Sequence, residues 1–307
     1  AEALLRLGHL PGPRPVPVPA APAPVPPPPP DVALAPLEGL VGLESVKAAA
    51  REIYALHAVS RLRRAVGLRA EATALHMVFR GPPGTGKTTV ARAFGEALRR
   101  MGALERGHLV EVERGDLVGE YVGHTARRTR EAVERALGGV LFVDEAYALA
   151  RGGEKDFGRE AVDTLVRQME EHRHRLVVIL AGYGEEMDAL LAMNPGLASR
   201  IPIRLDFPDF SPAELVAIAR AMYRDRGYVL SPAADARLPH LLARGLAEMG
   251  EGRGNARAVR NLVERSLRRH ALRVLSTARA PDFALLATVL PEDIAGDGHG
   301  GRLSIPP

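Results

Sequence analysis

A glycine-rich segment at residues 81–88, Gly-Pro-Pro-Gly-Thr-Gly-Lys-Thr, has the composition and spacing of a phosphate-binding loop. Its glycines let successive backbone N–H groups turn toward one anion, and a helix expected to begin at Lys87 directs its positive dipole end to the same place. The Lys87 ammonium suits the terminal phosphates of ATP, and the Thr88 hydroxyl suits Mg²⁺. We expect these residues to bind the nucleotide: Pro83, Gly84, Thr85, Gly86, Lys87, Thr88 and Thr89.

The rarity of lysine in this chain makes Lys87 informative. Only three of the 41 basic residues are lysines, so arginine supplies nearly all of the positive charge. An ammonium is a compact point charge on a flexible stem, whereas a guanidinium is a rigid planar fork. A lysine at this place in the loop therefore indicates that its ammonium lies between the β and γ phosphates of the nucleotide.

Two adjacent carboxylates, Asp144 and Glu145, follow the apolar run at residues 140–143. In open α/β sheets, ligands bind at the carboxyl ends of the strands, so such a run would deliver both acids to the phosphate loop. Asp144 would then bind Mg²⁺, and Glu145 would polarise the attacking water. The alternative is a pair of solvated acids that caps a strand. We favour hydrolysis of ATP and expect Glu145 and Lys87 to be catalytic.

The rest of the chain predicts an α/β fold with a five-stranded, doubly wound parallel sheet. Short apolar runs of this kind, separated by helical stretches of crossover length, are typical of buried parallel strands. The five predicted strands lie at residues 75–79, 109–112, 140–143, 176–181 and 203–207. The helices between them are predicted near residues 87–100, 125–137, 159–171 and 185–192.

A small all-helical domain is predicted after Pro208, because the alternation of strands and helices stops there. Ser211 and Glu214 have the spacing of a capping box that begins a helix, and three helical stretches follow. Before the sheet, residues 11–30 contain twelve of the 25 prolines, which is typical of a polyproline linker without helix or sheet. The predicted units are a disordered proline-rich leader at 1–36, a nucleotide-binding domain at 37–208, a helical lid at 209–295 and a tail at 296–307.

Composition excludes several classes of protein. The sequence has no cysteine, so disulfide scaffolds, thiolate metal sites and thiol nucleophiles are ruled out. The longest apolar run is far shorter than the roughly 18 residues that a membrane span needs, and we expect a cytoplasmic protein that does not bind membranes. A net charge of +4, with both signs interspersed, does not require a nucleic-acid partner, and none is expected.

Together, the phosphate loop, the Asp-Glu strand end and the helical domain make the chain similar to AAA+ ATPases. Four segments narrow the resemblance to the CbxX/CfqX family, which includes stage V sporulation protein K and red-type Rubisco activases. They are Leu-Val-Gly-Leu-Glu-Ser-Val-Lys at 40–47, Tyr-Val-Gly-His-Thr at 121–125, the segment 138–147 around the acid pair, and Asn-Pro-Gly-Leu at 194–197. The similarity covers residues 37–294.

This resemblance implies a homo-oligomeric ring, expected to be a hexamer, with ATP bound between neighbouring subunits. Val41 and Gly42 match the segment that lines the adenine pocket. Arg200 matches the arginine finger, which would reach the γ-phosphate of a neighbour, and Arg204 is the competing candidate. Arg257 matches the second sensor of the helical lid.

Two positions deserve comparison with the family pattern. Many AAA+ proteins have an Asn or Thr after the fourth strand, but this chain has Tyr183, so the first sensor is unassigned. Tyr183 would either supply its hydroxyl or pack beside the sheet. Tyr121 and Val122 match the aromatic and aliphatic residues that project into the central pore, where an aromatic ring would grip a polypeptide without reading its sequence. The alternative for Tyr121 is an ordinary core tyrosine.

We therefore expect an ATP- and Mg²⁺-dependent ring protein that remodels an unidentified protein substrate through its pore, in the manner of sporulation protein K. Activation of red-type Rubisco is the alternative within the family. A nucleic-acid motor or loader is the alternative from a different functional class. Such a protein would be expected to carry a DNA-binding domain after the lid. Only about thirty residues follow the last clear helix.

Overall fold

Five parallel strands form the central sheet of the computed structural model, in the spatial order β2-β3-β4-β1-β5. The strands are β1 (Met77–Arg80), β2 (Leu109–Val112), β3 (Val140–Val143), β4 (Val177–Gly182) and β5 (Ile203–Asp206). All five predicted strands are confirmed, with ends that differ by one or two residues. The structure describes residues 26–70, 74–121, 123–151, 157–249, 254–277 and 282–294.

Helices cover both faces of this sheet, as its continuous apolar strands require. They are α1 (Pro30–Glu38), α2 (Glu44–Ala65), α3 (Lys87–Met101), α4 (Arg114–Leu117), α5 (His124–Ala136), the 3₁₀ helix Ala146–Ala150, α6 (Gly158–Glu171), α7 (Gly184–Met193) and α8 (Pro195–Arg200). Alternate residues of one strand face opposite layers: Phe79 packs with α1, α2 and α3, while Val78 packs with α5, α6 and α7. The three central strands, β3, β4 and β1, are thereby buried on both sides, whereas the edge strands β2 and β5 expose some side chains.

The predicted leader at residues 1–36 extends too far, because residues 30–36 belong to helix α1. The helix begins at Pro30 and buries Ala33, Leu34 and Leu37 in the core layer that includes α3. A proline is tolerated at the first helical position because its missing N–H would have no partner there. The proline density of the preceding segment concealed this short helical pattern. Residues 1–25, with most of the predicted leader, lie outside the described residues.

The second domain is mostly helical, as predicted, but it also contains a small parallel sheet. Its helices are α9 (Pro212–Asp225), α10 (Pro232–Met249), α11 (Asn255–Ser276), α12 (Phe283–Ala287) and α13 (Pro291–Ile294). The pair β6 (Val229–Leu230) and β7 (Thr288–Val289) joins distant segments of the chain. Two-residue strands are too short to produce a periodic pattern, which is why the sequence did not indicate them. The predicted tail at 296–307 lies outside the described residues.

The predicted capping box fixes where the lid begins. The Ser211 hydroxyl accepts a hydrogen bond from the Glu214 N–H at 3.3 Å, and the Glu214 carboxylate accepts one from the Ser211 N–H at 2.7 Å. These bonds satisfy backbone donors that lack partners in the first turn of α9.

Among the residues that the structure describes, no helix is both long and apolar enough to span a bilayer.

Candidate nucleotide-binding site

A cavity of about 480 Å³ lies at the carboxyl ends of the central strands, between the sheet domain and the lid. The phosphate loop and the end of β3 form one side of it, and α9 and α11 form the other. Residues 39–41 and Leu43, from the segment between α1 and α2, complete the wall. This is the edge of a parallel sheet at which ligands of α/β proteins bind.

The phosphate loop has the backbone turns that its glycines predict. Gly86, immediately before α3, has a φ of 89°, and Gly84 has a φ of 77°. Residues with a Cβ rarely adopt these positive φ angles. The turn at Gly86 directs the N-terminus of α3, with its free N–H groups, toward the cavity. Of the predicted loop residues, all but Thr85 line the cavity; the buried Thr85 hydroxyl donates to the Pro82 carbonyl at 2.9 Å and supports the loop from behind.

Lys87 lies on the loop and is held by it. Its Nζ donates to the carbonyl oxygens of Gly81 at 2.8 Å and Pro82 at 2.9 Å. Burial lowers the pKa of this ammonium, and the carboxylates of Asp144 and Glu145 oppose that shift. The ammonium and both acids therefore share one electrostatic environment, as the motif spacing predicted.

Thr88 and Asp144 offer the oxygen ligands that Mg²⁺ prefers. Both line the cavity, and the Asp144 N–H donates to the Val112 carbonyl at 2.9 Å, which fixes the acid at the end of β3. The Thr88 hydroxyl lies 3.4 Å from a carboxylate oxygen of Glu111. A hydroxyl and a carboxylate on adjacent elements fit Mg²⁺, which would neutralise phosphate charge when bound.

Glu145 occupies a strained backbone position. Its φ of 47° and ψ of 41° place a residue with a Cβ in the left-handed region, and such outliers cluster at functional sites. Burial raises the pKa of Tyr147 to about 12, and a hydrogen bond to Glu145 adds to the rise. The Tyr147 phenol therefore remains protonated and donates to the carboxylate.

Tyr183 follows β4 and faces the cavity, with 39% of its surface exposed. Its ring centroid lies 5.9 Å from that of Tyr147, at an interplanar angle of 48°. The ring packs on Tyr147 while the residue also lines the cavity, and a role for the phenolic hydroxyl stays a prediction. The first sensor stays unassigned.

The apolar end of the cavity suits a flat base. Val41 and Leu40 line it from the sheet domain, and Ile218 and Met222 line it from α9. Gly42 does not line the cavity. A Cβ at Gly42 would collide with the carboxylate of Glu214, so this glycine permits the segment to approach the lid.

The lid residues of this wall were not predicted as site residues. Ile218 and Met222 are four residues apart and share one face of α9. From the sequence they are indistinguishable from core residues, because only the docking of the lid onto the phosphate loop turns that face toward the cavity.

Arg257, the predicted second sensor, lines the cavity from the first turn of α11, and Arg260 lies one turn further along the same wall. A Cβ added at Gly84 would lie 3.2 Å from the Cβ of Arg257. The lid helix and the phosphate loop are therefore in direct contact.

The two candidate arginine fingers lie outside this cavity. Arg200 ends α8, where its Nη1 donates to the Gly196 carbonyl at 3.1 Å and its Nε lies 3.3 Å from a carboxylate oxygen of Glu170. Arg204 is exposed on β5, in register with Val78 of β1. Neither guanidinium belongs to the cavity of its own chain.

Tyr121 lies on the loop between α4 and α5, and 65% of its surface is exposed. Among the aromatic contacts of the described residues, its ring meets only that of His124, in a T-shaped arrangement with a centroid distance of 5.4 Å. The alternative of a core tyrosine is therefore wrong. Val122 lies outside the described residues.

The strand order and the helical lid over the phosphate loop define the class of this protein, which is an ATPase of the AAA type. The model of the "ATPase family associated with various cellular activities (AAA)" matches residues 77–209, and that of the "AAA lid domain" matches residues 211–301. Within this class, the chain belongs to the CbxX/CfqX family.

Relatives of known name match over most of their length. The chain is 51% identical to stage V sporulation protein K of Bacillus subtilis, over 78% of this chain and 74% of that protein. It is 44% identical to the chloroplastic ribulose bisphosphate carboxylase/oxygenase activase of Cyanidioschyzon merolae, over 83% and 87% of the two chains. The crystal structure of the FIGL-1 AAA domain shares the fold, with a TM-score of 0.56 and 19% identity over 84% and 80% of the chains.

Proposed function

We propose that this ATPase assembles into a ring, expected to be hexameric, and couples ATP hydrolysis to the remodelling of a protein substrate in the central pore. The exposed ring of Tyr121 carries the proposal. Leaving a large aromatic side chain 65% exposed on a loop gains nothing for folding, whereas an exposed aromatic is well suited to gripping a polypeptide.

The chemistry of hydrolysis is divided between two subunits in this proposal. The phosphate loop and Lys87 bind the triphosphate, Glu145 polarises the attacking water, and Arg257 approaches from the lid. Mg²⁺, held by Thr88 and Asp144, would neutralise phosphate charge. Arg200 does not line the nucleotide cavity of its own chain, and we assign it to the γ-phosphate of the neighbour, where it would stabilise charge that develops in the transition state.

The relatives narrow the choice of protein substrate to two possibilities. Identity to stage V sporulation protein K is 51%, against 44% for the algal Rubisco activase, which favours a sporulation-type role. The alternative, activation of a red-type Rubisco, has a direct test: the protein and ATP would raise the activity of an inactive preparation of such an enzyme.

The test of the pore function measures the ATPase rate with added α-casein, an unfolded protein, and compares it with the ATPase rate with added single-stranded DNA. We expect casein to raise turnover of the wild type and DNA to leave it unchanged. Tyr121→Ala should abolish the stimulation by casein while nucleotide binding and basal turnover stay within about twofold of the wild type. Tyr121→Phe, which keeps the ring, should retain it.

Phe283 provides the matched control. It is 84% exposed in α12 of the lid domain, so Phe283→Ala removes an aromatic ring that is even more exposed than that of Tyr121. Full stimulation of the Tyr121→Ala variant by casein would refute the pore function. Stimulation by DNA instead of casein would establish the nucleic-acid motor.

A further inference from the structure

One side chain, that of Asn255, links three segments of the chain at the edge of the nucleotide cavity. Its Nδ2 donates to a carboxylate oxygen of Asp209 at 2.6 Å and lies 3.4 Å from the Pro83 carbonyl of the phosphate loop. Its Oδ1 accepts a hydrogen bond from the Phe210 N–H at 3.1 Å. All the hydrogen-bonding groups of the carboxamide thus face the loop or the segment that leads into α9.

The backbone explains why asparagine suits this position. Asn255 has a φ of 37°, in the left-handed region that most residues with a Cβ avoid, and only 4% of its surface is exposed. Asparagine enters this region more readily than most residues. A buried carboxamide must also be hydrogen-bonded, and here it is.

The residues that follow Asn255 extend the same link to the reacting phosphates. The Ala256 N–H donates to the Gly84 carbonyl at 3.0 Å, so the first turn of α11 is bonded to the phosphate loop. Arg257 comes next and lines the cavity. Any shift of Asn255 therefore shifts Arg257 relative to the loop.

We propose that Asn255 is a positioning residue that holds the start of α11 against the phosphate loop and the segment at 209–210, and so aims Arg257 at the terminal phosphate. Nucleotide would then move the lid through this hydrogen-bonded junction. The inference rests on the assignment of Arg257 to ATP, but not on the pore function, because its test uses nucleotide alone.

The test exchanges the partners of the 2.6 Å hydrogen bond. Asn255→Asp places a second carboxylate beside Asp209, and repulsion should open the junction. In the double variant Asn255→Asp with Asp209→Asn, the amide lies on the other side, so the bond re-forms with reversed polarity, and the Phe210 N–H keeps its acceptor. The measurements are turnover and the affinities for ADP and for a slowly hydrolysed ATP analogue.

We expect Asn255→Asp to lower turnover about tenfold and to weaken binding of the analogue about tenfold relative to ADP. ADP lacks the γ-phosphate that Arg257 would contact, so ADP affinity should change little. The exchange variant should recover both quantities to within about threefold of the wild type. Arg257→Ala should reproduce the loss of preference for the analogue.

Asn261, exposed on the same helix, is the matched control. Asn261→Asp makes the same chemical change and should alter neither turnover nor the preference between nucleotides. If Asn255→Asp does not fold, Asn255→Gly retains the left-handed backbone without the carboxamide, and the same loss of preference is expected from it.

Two results would overturn the proposal. One is a folded Asn255→Asp or Asn255→Gly variant that keeps the wild-type preference for the ATP analogue. The other is an exchange variant that melts like the wild type but does not recover that preference. A lower melting temperature with unchanged nucleotide preference would mean that Asn255 only stabilises the fold.

Discussion

The nucleotide cavity differs from the positions of Arg200 and Tyr121 outside it in how much of the required chemistry one chain supplies. In the cavity, Lys87, Asp144 and Glu145 lie within mutual electrostatic influence. By contrast, Arg200 contacts a surface carboxylate of its own chain, and Tyr121 is largely exposed.

This difference indicates a division between binding and turnover. A single chain has the loop, the acid pair and the lid that nucleotide binding needs. In the proposed mechanism, fast hydrolysis and the handling of a substrate use Arg200 and Tyr121, which lie outside that cavity, and both would therefore depend on assembly.

The largest effect is expected from Arg200→Ala. An arginine finger is worth about 10³ to 10⁵ in rate, so turnover should fall at least about 10³-fold while ATP affinity stays near that of the wild type. Arg204→Ala is the control and should have little effect. If Arg204→Ala causes the loss and Arg200→Ala does not, Arg204 is the finger.

Mixed assemblies would show whether Arg200 acts on a neighbour. Subunits with Arg200→Ala keep their own Glu145, and subunits with Glu145→Gln keep their own Arg200. When the two are mixed, some interfaces combine an intact base with an intact finger, and turnover should reappear. No recovery in confirmed mixed assemblies would mean that each site takes Arg200 and Glu145 from the same subunit.

Glu145→Gln should have the next largest effect, a loss of about 10²-fold or more in turnover, because the amide cannot accept a proton from water. Nucleotide affinity should stay unchanged, since the phosphate loop and Lys87 are intact. Glu111→Gln is a control in the same region, because Glu111 lies on the neighbouring strand, 3.4 Å from the Thr88 hydroxyl. Undiminished hydrolysis by Glu145→Gln would refute its role as the base.

Tyr183 is expected to have a smaller effect. Tyr183→Ala removes a ring that forms a wall of the cavity and packs on Tyr147, and turnover should fall about tenfold. Tyr183→Phe keeps the ring and should stay within about threefold of the wild type. A loss in the Phe variant as large as in the Ala variant would assign the first sensor to the phenolic hydroxyl.

Local pattern predicted the sheet and most of the helices well, because each buried strand and each capped helix has its own signature. The capping box at Ser211 is an example. The cavity wall in α9 could not be predicted in the same way. Ile218 and Met222 have the spacing of core residues, and only the docking of the lid gives that face another role.

The junction at Asn255 was also beyond prediction from the sequence. Its partners are Pro83 and Asp209, which lie 172 and 46 residues away along the chain. Contacts that join such distant segments leave no local signal in the sequence.

Helix α1 was missed for a different reason, since prolines obscured a pattern of only three buried apolar residues.

His76, buried immediately before β1, gives the smallest expected effect. Burial lowers the pKa of His76 from 6.5 to about 4, and its Nδ1 accepts a hydrogen bond from the Val178 N–H at 3.0 Å. Between these pH values the unfolded chain takes up a proton that the native protein does not, so stability falls as pH decreases through that window. His76→Asn keeps an acceptor without titrating and should reduce this fall.

The difference in the free energy of unfolding should amount to about 1 kcal/mol between pH 6.5 and 5.5, measured by urea denaturation of the two proteins. His240→Asn, which changes an exposed histidine of α10, should leave the pH dependence as in the wild type. Because His76 lies at the end of the strand opposite the phosphate loop, turnover of His76→Asn at neutral pH should be unchanged. Parallel pH curves for His76→Asn and the wild type would mean that His76 becomes protonated in the native protein.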